Sequence, residues 1–117
     1  MTKLSKKTDH EILEIVNPIM DNLMDGSTEV NHQKHVRDFT ERLRKIVTKD
    51  ALTRMCDEYQ AKWGYFRRRL PVAIFRRENS VVVVWKQECS KSNDEYVAEA
   101  VFVESEDRIL VDHALVY

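Results

Sequence analysis

The sequence predicts an α+β domain in which three N-terminal helices pack on one face of a four-stranded antiparallel sheet, and three observations carry that prediction. Apolar residues recur at spacings of three and four as far as Trp63, and at spacings of two after Arg69. The polar separators between the later apolar runs, Glu78-Asn79-Ser80, Ser90 to Asp94 and Ser105-Glu106-Asp107, are short enough for hairpins, so the strands form a meander. Helices that all precede the strands fall on one side of the sheet. A chain of 117 residues has the size of one domain, residues 1–117, of which residues 1–8 are expected to be a flexible N-terminus.

The first helix is predicted over 9–24. Thr8 or Asp9 caps it, Ile12, Val16, Ile19 and Leu23 form its apolar stripe, and Asp25-Gly26 ends it because glycine takes a left-handed C-terminal position without strain. The second is predicted over 31–47 from Val36, Phe39, Leu43, Ile46 and Val47. The third, over 50–63, is capped from Thr48 to Asp50, carries Leu52, Met55, Cys56, Tyr59 and Trp63, and closes at Gly64.

Four β-rich segments follow: Leu70 to Arg77, Val81 to Gln87, Glu95 to Glu104 and Arg108 to Tyr117. Both alternating rows are apolar. Val81, Val83 and Trp85 alternate with Val82 and Val84, and Ile109, Val111, Leu115 and Tyr117 with Leu110, Ala114 and Val116. An antiparallel sheet with one wet face would place polar residues at every second position. Helices cover only one face, so the other is expected to be covered by a second copy of the same sheet, in a homodimer.

Six basic and no acidic residues lie between Lys62 and Arg77, whereas Glu88 to Asp112 holds eight acidic residues against Lys91 and Arg108. These stretches are expected to meet across neighbouring strands or a subunit contact, leaving Arg67, Arg68, Arg69, Arg76 and Arg77 as structural or surface charges and nucleic acid an unlikely partner. No apolar run approaches the roughly 20 residues of a membrane-crossing helix, so no membrane association is expected. Cys56 and Cys89 make no disulfide framework and are read as free thiols of a cytoplasmic protein.

Chemistry is conspicuous by its absence. The chain has only two glycines, Gly26 and Gly64, which excludes a Walker phosphate loop, a dinucleotide-binding glycine fingerprint and a nucleophile elbow. No cofactor is implied. Two cysteines and four histidines build no cysteine-rich zinc site. His32, His35 and Asp38 step by three along the predicted second helix, but as exposed polar residues they make no metal site. Asp112 and His113 stand out as ionisable groups within an apolar strand. Adjacent strand residues point to opposite faces, so one of them looks toward the helices as a general base or polar anchor, with Tyr59, Trp63, Trp85 or Tyr96 as an aromatic ligand-binding wall.

The order of elements, with Asp25-Gly26, the cap at Thr48-Lys49-Asp50-Ala51-Leu52, Trp63-Gly64-Tyr65-Phe66 and the run Val81 to Lys86, resembles the nuclear transport factor 2-like (cystatin-like, SnoaL-like) superfamily. The resemblance implies a curved sheet wrapped around a long helix as a cone with a cavity, and dimerisation through the sheet. Its members include isomerases, dehydratases, hydrolases and non-catalytic ligand binders. Val47 and Thr48 run straight into the next helix with no room for a strand, which makes this a shortened variant. The expected function is therefore a non-enzymatic domain that binds a small apolar or amphipathic ligand or serves as a dimeric interaction module. The alternative is a small cone-pocket enzyme using Asp112 or His113.

Overall fold

A computed structural model of the chain describes residues 3–117. The long helix α1, Asp9–Thr28, is followed by α2, His32–His35, α3, Glu41–Ile46, and α4, Lys49–Trp63. Then come β1, Phe66–Arg76, β2, Ser80–Cys89, β3, Ser92–Ser105, and β4, Arg108–Val116, paired in that order as an antiparallel meander. The α+β class, the four strands and their order are those expected. Of the predicted flexible residues 1–8, Met1 and Thr2 lie outside the described residues. Leu4–Lys6 forms a 3-10 turn, and Leu4 is buried in the core.

Each helix starts where a side-chain oxygen satisfies orphan amides of its first turn, Asn31 Oδ1 doing so for α2. Thr8 and Glu11 form a reciprocal capping box on α1, Thr40 caps α3 and Thr48 caps α4. The end of α1 departs from expectation. Gly26 does not terminate the helix, which continues to Thr28; the left-handed residue is Val30, at φ 52°. The amide of Asn31 bonds to the carbonyl of Gly26 and that of Val30 to the carbonyl of Ser27, the paired bonds of a Schellman ending. Gly26 serves a different need: a Cβ there would stand 2.6 Å from both the Cα and the N of His35, so only glycine lets the next segment cross the helix this closely.

The predicted second helix over 31–47 is two short helices. Between them the chain turns at residues 36–38, and Phe39 then makes a parallel bridge to Val111. The amide of Val111 donates to the carbonyl of Asp38 at 2.7 Å, and the amide of Thr40 to the carbonyl of Val111 at 2.9 Å. The backbone of β4 outcompetes the helical bonds that the spacing of Val36, Phe39 and Leu43 would support, and Phe39 is buried all the same. Beside Val47 and Thr48 there is indeed no strand; the single bridge lies upstream.

One core lies between helices and sheet. Ile12, Val16, Met20, Leu23 and Met24 of α1 meet Val81, Val83 and Trp85 of β2, Ala98, Ala100 and Phe102 of β3 and Val111 of β4. Register shifts interrupt all three strand pairs, between Phe66 and Arg69, Pro71 and Ala73, Gln87 and Cys89, and opposite Val101 and Phe102. Such shifts bend strands and increase their twist, which is how an open sheet curves over a helix layer. They also change which residues face inward. In β4, Val111 faces the core, Asp112 is the extra residue of the bulge, and the inward row resumes at Ala114 and Val116, leaving His113 and Leu115 outside. The outer face carries Ala73, Phe75, Val82, Val84, Val101, Val103, Leu110 and Leu115.

The two charge stretches meet only in part. Arg68 reaches Glu88 on the adjacent strand at 3.3 Å, but Arg69 pairs with Asp21 and Arg76 with Asp9, both on α1, at 2.6 Å. The inward row of β1 is therefore fastened to the helix layer rather than to β3 and β4. Arg69 also lies over the Trp85 ring, 5.1 Å from its centroid. No helix is long and apolar enough to cross a membrane among the described residues.

Candidate functional site

A cavity of about 300 Å³ opens where the C-terminal half of α1, α2, α3, α4 and the end of β4 converge. Buried Met20, Leu23, Met24, Phe39 and Leu43 make its floor. Ala114 and Val116 supply a wall from the sheet, and exposed Met55, Glu58, Lys62 and Leu115 surround the mouth. The bulge at Asp112 is what turns Ala114 and Val116 toward this space.

Aromatic side chains close the side next to α4. Tyr59 stacks on Phe66 at 4.7 Å between centroids, and Trp63 lies 4.5 Å from Tyr96. The end of α4 is anchored to the β2–β3 turn: the Lys91 amide donates to the Trp63 carbonyl at 2.8 Å and the Tyr65 amide to Ser90 Oγ at 2.8 Å. Gly64, at φ 82°, fits that junction because a Cβ would collide with Ser90 Oγ.

Two polar groups stand on the buried side of the cavity. His35, 7% exposed, was expected on an outer helical face but is drawn inside by the close crossing at Gly26. Its Nδ1 lies 2.8 Å from the carbonyl oxygen of Leu23. A carbonyl only accepts, so Nδ1 carries the proton, and in the neutral ring Nε2 is left as an acceptor with no partner among the described residues. Burial lowers the His35 pKa from its ordinary value; the bond to Leu23 opposes this in part, and nearby His32 lowers it further.

The second group is Ser27. Tyr59 Oη is 2.7 Å from Ser27 Oγ, a bond in which either hydroxyl can donate, and accepts from Gln60 Nε2 at 3.2 Å. Burial raises the Tyr59 pKa, against the lowering effect of the bonds from Ser27 and Gln60, and keeps it a neutral phenol. The Cys56 thiol donates to the Ser27 carbonyl at 3.2 Å, leaving sulfur at 3.6 Å as a weak acceptor for the serine hydroxyl.

The four aromatic residues singled out from the sequence separate into two groups. Tyr59 and Trp63 line the cavity, and Tyr96 backs Trp63 from β3. Trp85 lies deeper in the core, where its Nε1 donates to Asn17 Oδ1 at 3.2 Å. Asp112 and His113 do not line the cavity. Asp112 accepts from Thr40 Oγ1 at 2.8 Å and from Arg42, fastening β4 to the start of α3. Burial alone would raise its pKa, but the bonds from Thr40 and Arg42 outweigh that and lower it. His113 is on the outer face of the sheet, 2.8 Å from Glu99, which also accepts from Tyr117 Oη at 3.0 Å. His32 Nε2 is bound to the Val47 carbonyl and Asp38 to Arg37 and Arg108, and no metal-binding cluster occurs among the described residues. His35 and Ser27 are the site residues that spacing alone missed. The usable signal was Gly26 inside a helical pattern, which marks a close backbone approach.

No protein-family model matches the chain, and no curated protein matches it in sequence. Among solved structures it is similar to Bd1075 of Bdellovibrio bacteriovorus, with a TM-score of 0.56 at 12% identity over 93% of this chain and 42% of that one. The chain thus spans less than half the length of that protein, and likeness at this identity speaks to the fold alone.

Proposed function

We propose that this chain is a ligand-binding domain of the cone-shaped α+β type, a shortened relative of the nuclear transport factor 2-like superfamily, that holds a small apolar or amphipathic molecule without transforming it. The observation that carries this reading is the cavity: apolar and aromatic walls, charged groups confined to the mouth, and a few polar groups on the floor. Binding without chemistry is supported by Asp112 and His113, whose side chains are engaged elsewhere. Two free buried thiols fit a reducing, cytoplasmic setting. Arginines already paired to Asp9, Asp21 and Glu88 weigh against a nucleic-acid groove. The outer row of apolar residues on the sheet favours a homodimer joined through that face.

The test is titration with 1-aminoanthracene, an uncharged fluorophore that brightens in apolar surroundings. The expected result is saturable binding of one molecule per chain, removed by Ala114→Phe, which places a ring in the cavity. Absence of saturable binding, or binding indifferent to Ala114→Phe in a folded variant, overturns the reading.

A further inference from the structure

Resting on the reading of the cavity as a ligand site, we propose that its occupant is an uncharged, largely apolar molecule carrying one hydroxyl, which donates to His35 Nε2 and accepts from the hydroxyl pair of Ser27 and Tyr59. His35, Ser27 and Tyr59 line the cavity, and the first two are more than nine-tenths buried. The Leu23 carbonyl fixes the proton of His35 on Nδ1, so Nε2 is the acceptor of the neutral ring. Gln60 donates to Tyr59, and Ser27 and Tyr59 share one hydrogen bond, so whichever of them donates, one of their two hydroxyl protons is not used between them. Where that proton is the serine's, the protein offers it only the Cys56 sulfur, at 3.6 Å, as an acceptor. One acceptor and one donor on an otherwise apolar floor match a hydroxyl, which is both.

The same geometry rejects other headgroups. A carboxylate would present two acceptors to the lone pair of Nε2 and bring a charge to a floor that holds no cation, since Lys62 lies exposed at the mouth. A hydrocarbon would leave Nε2 and the spare proton of the Ser27–Tyr59 pair unpaired, and a site built for a hydroxyl discriminates against the analogue that lacks it. The volume of about 300 Å³ is twice the roughly 150 Å³ of a cavity that takes benzene, which suits a two-ring or ten-carbon skeleton.

Equilibrium dialysis of the full chain against 2-naphthol, naphthalene and 2-naphthoate tests this. The expected order is 2-naphthol at least tenfold tighter than either of the others, with His35→Phe and the double variant Ser27→Ala/Tyr59→Phe each bringing 2-naphthol toward the affinity of naphthalene. Because His35 also holds the end of α1, the unmutated protein supplies a second measurement: the ¹⁵N resonance of His35 Nε2 should move with 2-naphthol and stay with naphthalene. Equal affinities for 2-naphthol and naphthalene, or a preference for 2-naphthoate, overturn the hydroxyl assignment while leaving the ligand site standing. If none of the three binds, and 1-aminoanthracene does not bind either, the ligand site itself is refuted.

Discussion

Gly26 of α1 lies against the backbone of His35, with room for a hydrogen atom and nothing more: a Cβ would come within 2.6 Å of His35 Cα and N. This contact fixes where α2 crosses α1, and hence where the imidazole enters the cavity.

Replacing Gly26 by alanine should therefore destabilise the protein, although alanine is the better helix former by about 1 kcal/mol. The colliding atoms are backbone and cannot rotate away, and overpacking of this kind typically costs about 1–3 kcal/mol. A urea midpoint lowered by the Gly26→Ala change, with the slope retained, is the expected outcome. A midpoint that rises would mean that α2 moves aside without loss.

The opposite substitution belongs four residues later. Val30 holds φ 52°, a conformation that costs a β-branched residue about 1–2 kcal/mol, and it is partly exposed, so little packing is lost by removing its side chain. Val30→Gly relieves that strain at an entropic cost of about 0.5–1 kcal/mol. A small net gain in thermal stability is expected, with Val30→Asn in the same direction. A fall in melting temperature for both variants would show that the side chain contributes more than its backbone strain costs.

These two positions also show what the sequence could and could not reveal. A glycine after a helical pattern reads as its terminator; here the terminator is a valine and the glycine is a packing site, because the Schellman bonds to the Gly26 and Ser27 carbonyls can form around any residue forced into the left-handed region. Strand existence and order were legible, since alternation and short polar separators are local signals. Strand register was not. The bulge at Asp112 depends on the pairing of β3 with β4 and on the grip of Thr40 and Arg42, and it decides that neither Asp112 nor His113 reaches the cavity. The break of the second predicted helix has the same origin: Phe39 sits at helical spacing, but the competing partner is the backbone of Val111, far along the chain. Tyr59 and Trp63 share one face of α4 at helical spacing, a local signal, and that face packs on Phe66 and Tyr96 at the edge of the cavity.

His35 gives stability a pH dependence whose sign follows from its burial. Its pKa in the folded protein is below the ordinary 6.5, so the unfolded chain takes up this proton first as pH falls. The contribution of the neutral ring is complete above 6.5 and is lost progressively below it, until the folded protein also binds the proton. Denaturant unfolding between pH 7.5 and 5 should show stability falling by up to about 1.4 kcal/mol per pH unit from this group. The His35→Phe variant, where folded, should lose that part of the slope. Identical pH profiles for the two proteins would remove His35 as the cause.

The two apolar rows of β2 provide the sharpest test of how the sheet is used. Val83 is fully buried beneath α1, and Val82, its neighbour in the chain, points to the outer face beside Phe75 and Val101. Lysine at Val83 would bury an unpaired charge in the core, at a cost of several kcal/mol out of a total stability of about 5–15, so Val83→Lys should fail to fold or melt far below the parent. Lysine at Val82 keeps its charge in water in the monomer and should leave the fold intact. If two copies join through this face, apolar burial at about 25 cal/mol per Å² holds them together, and Val82→Lys places a charge from each copy in the contact and should release folded monomers. Sedimentation equilibrium from low to high micromolar concentration distinguishes the cases. The parent is expected to sediment as a dimer throughout and Val82→Lys as a monomer with unchanged circular dichroism. A parent that is monomeric across the whole range would show that the outer face does not join two copies of this chain.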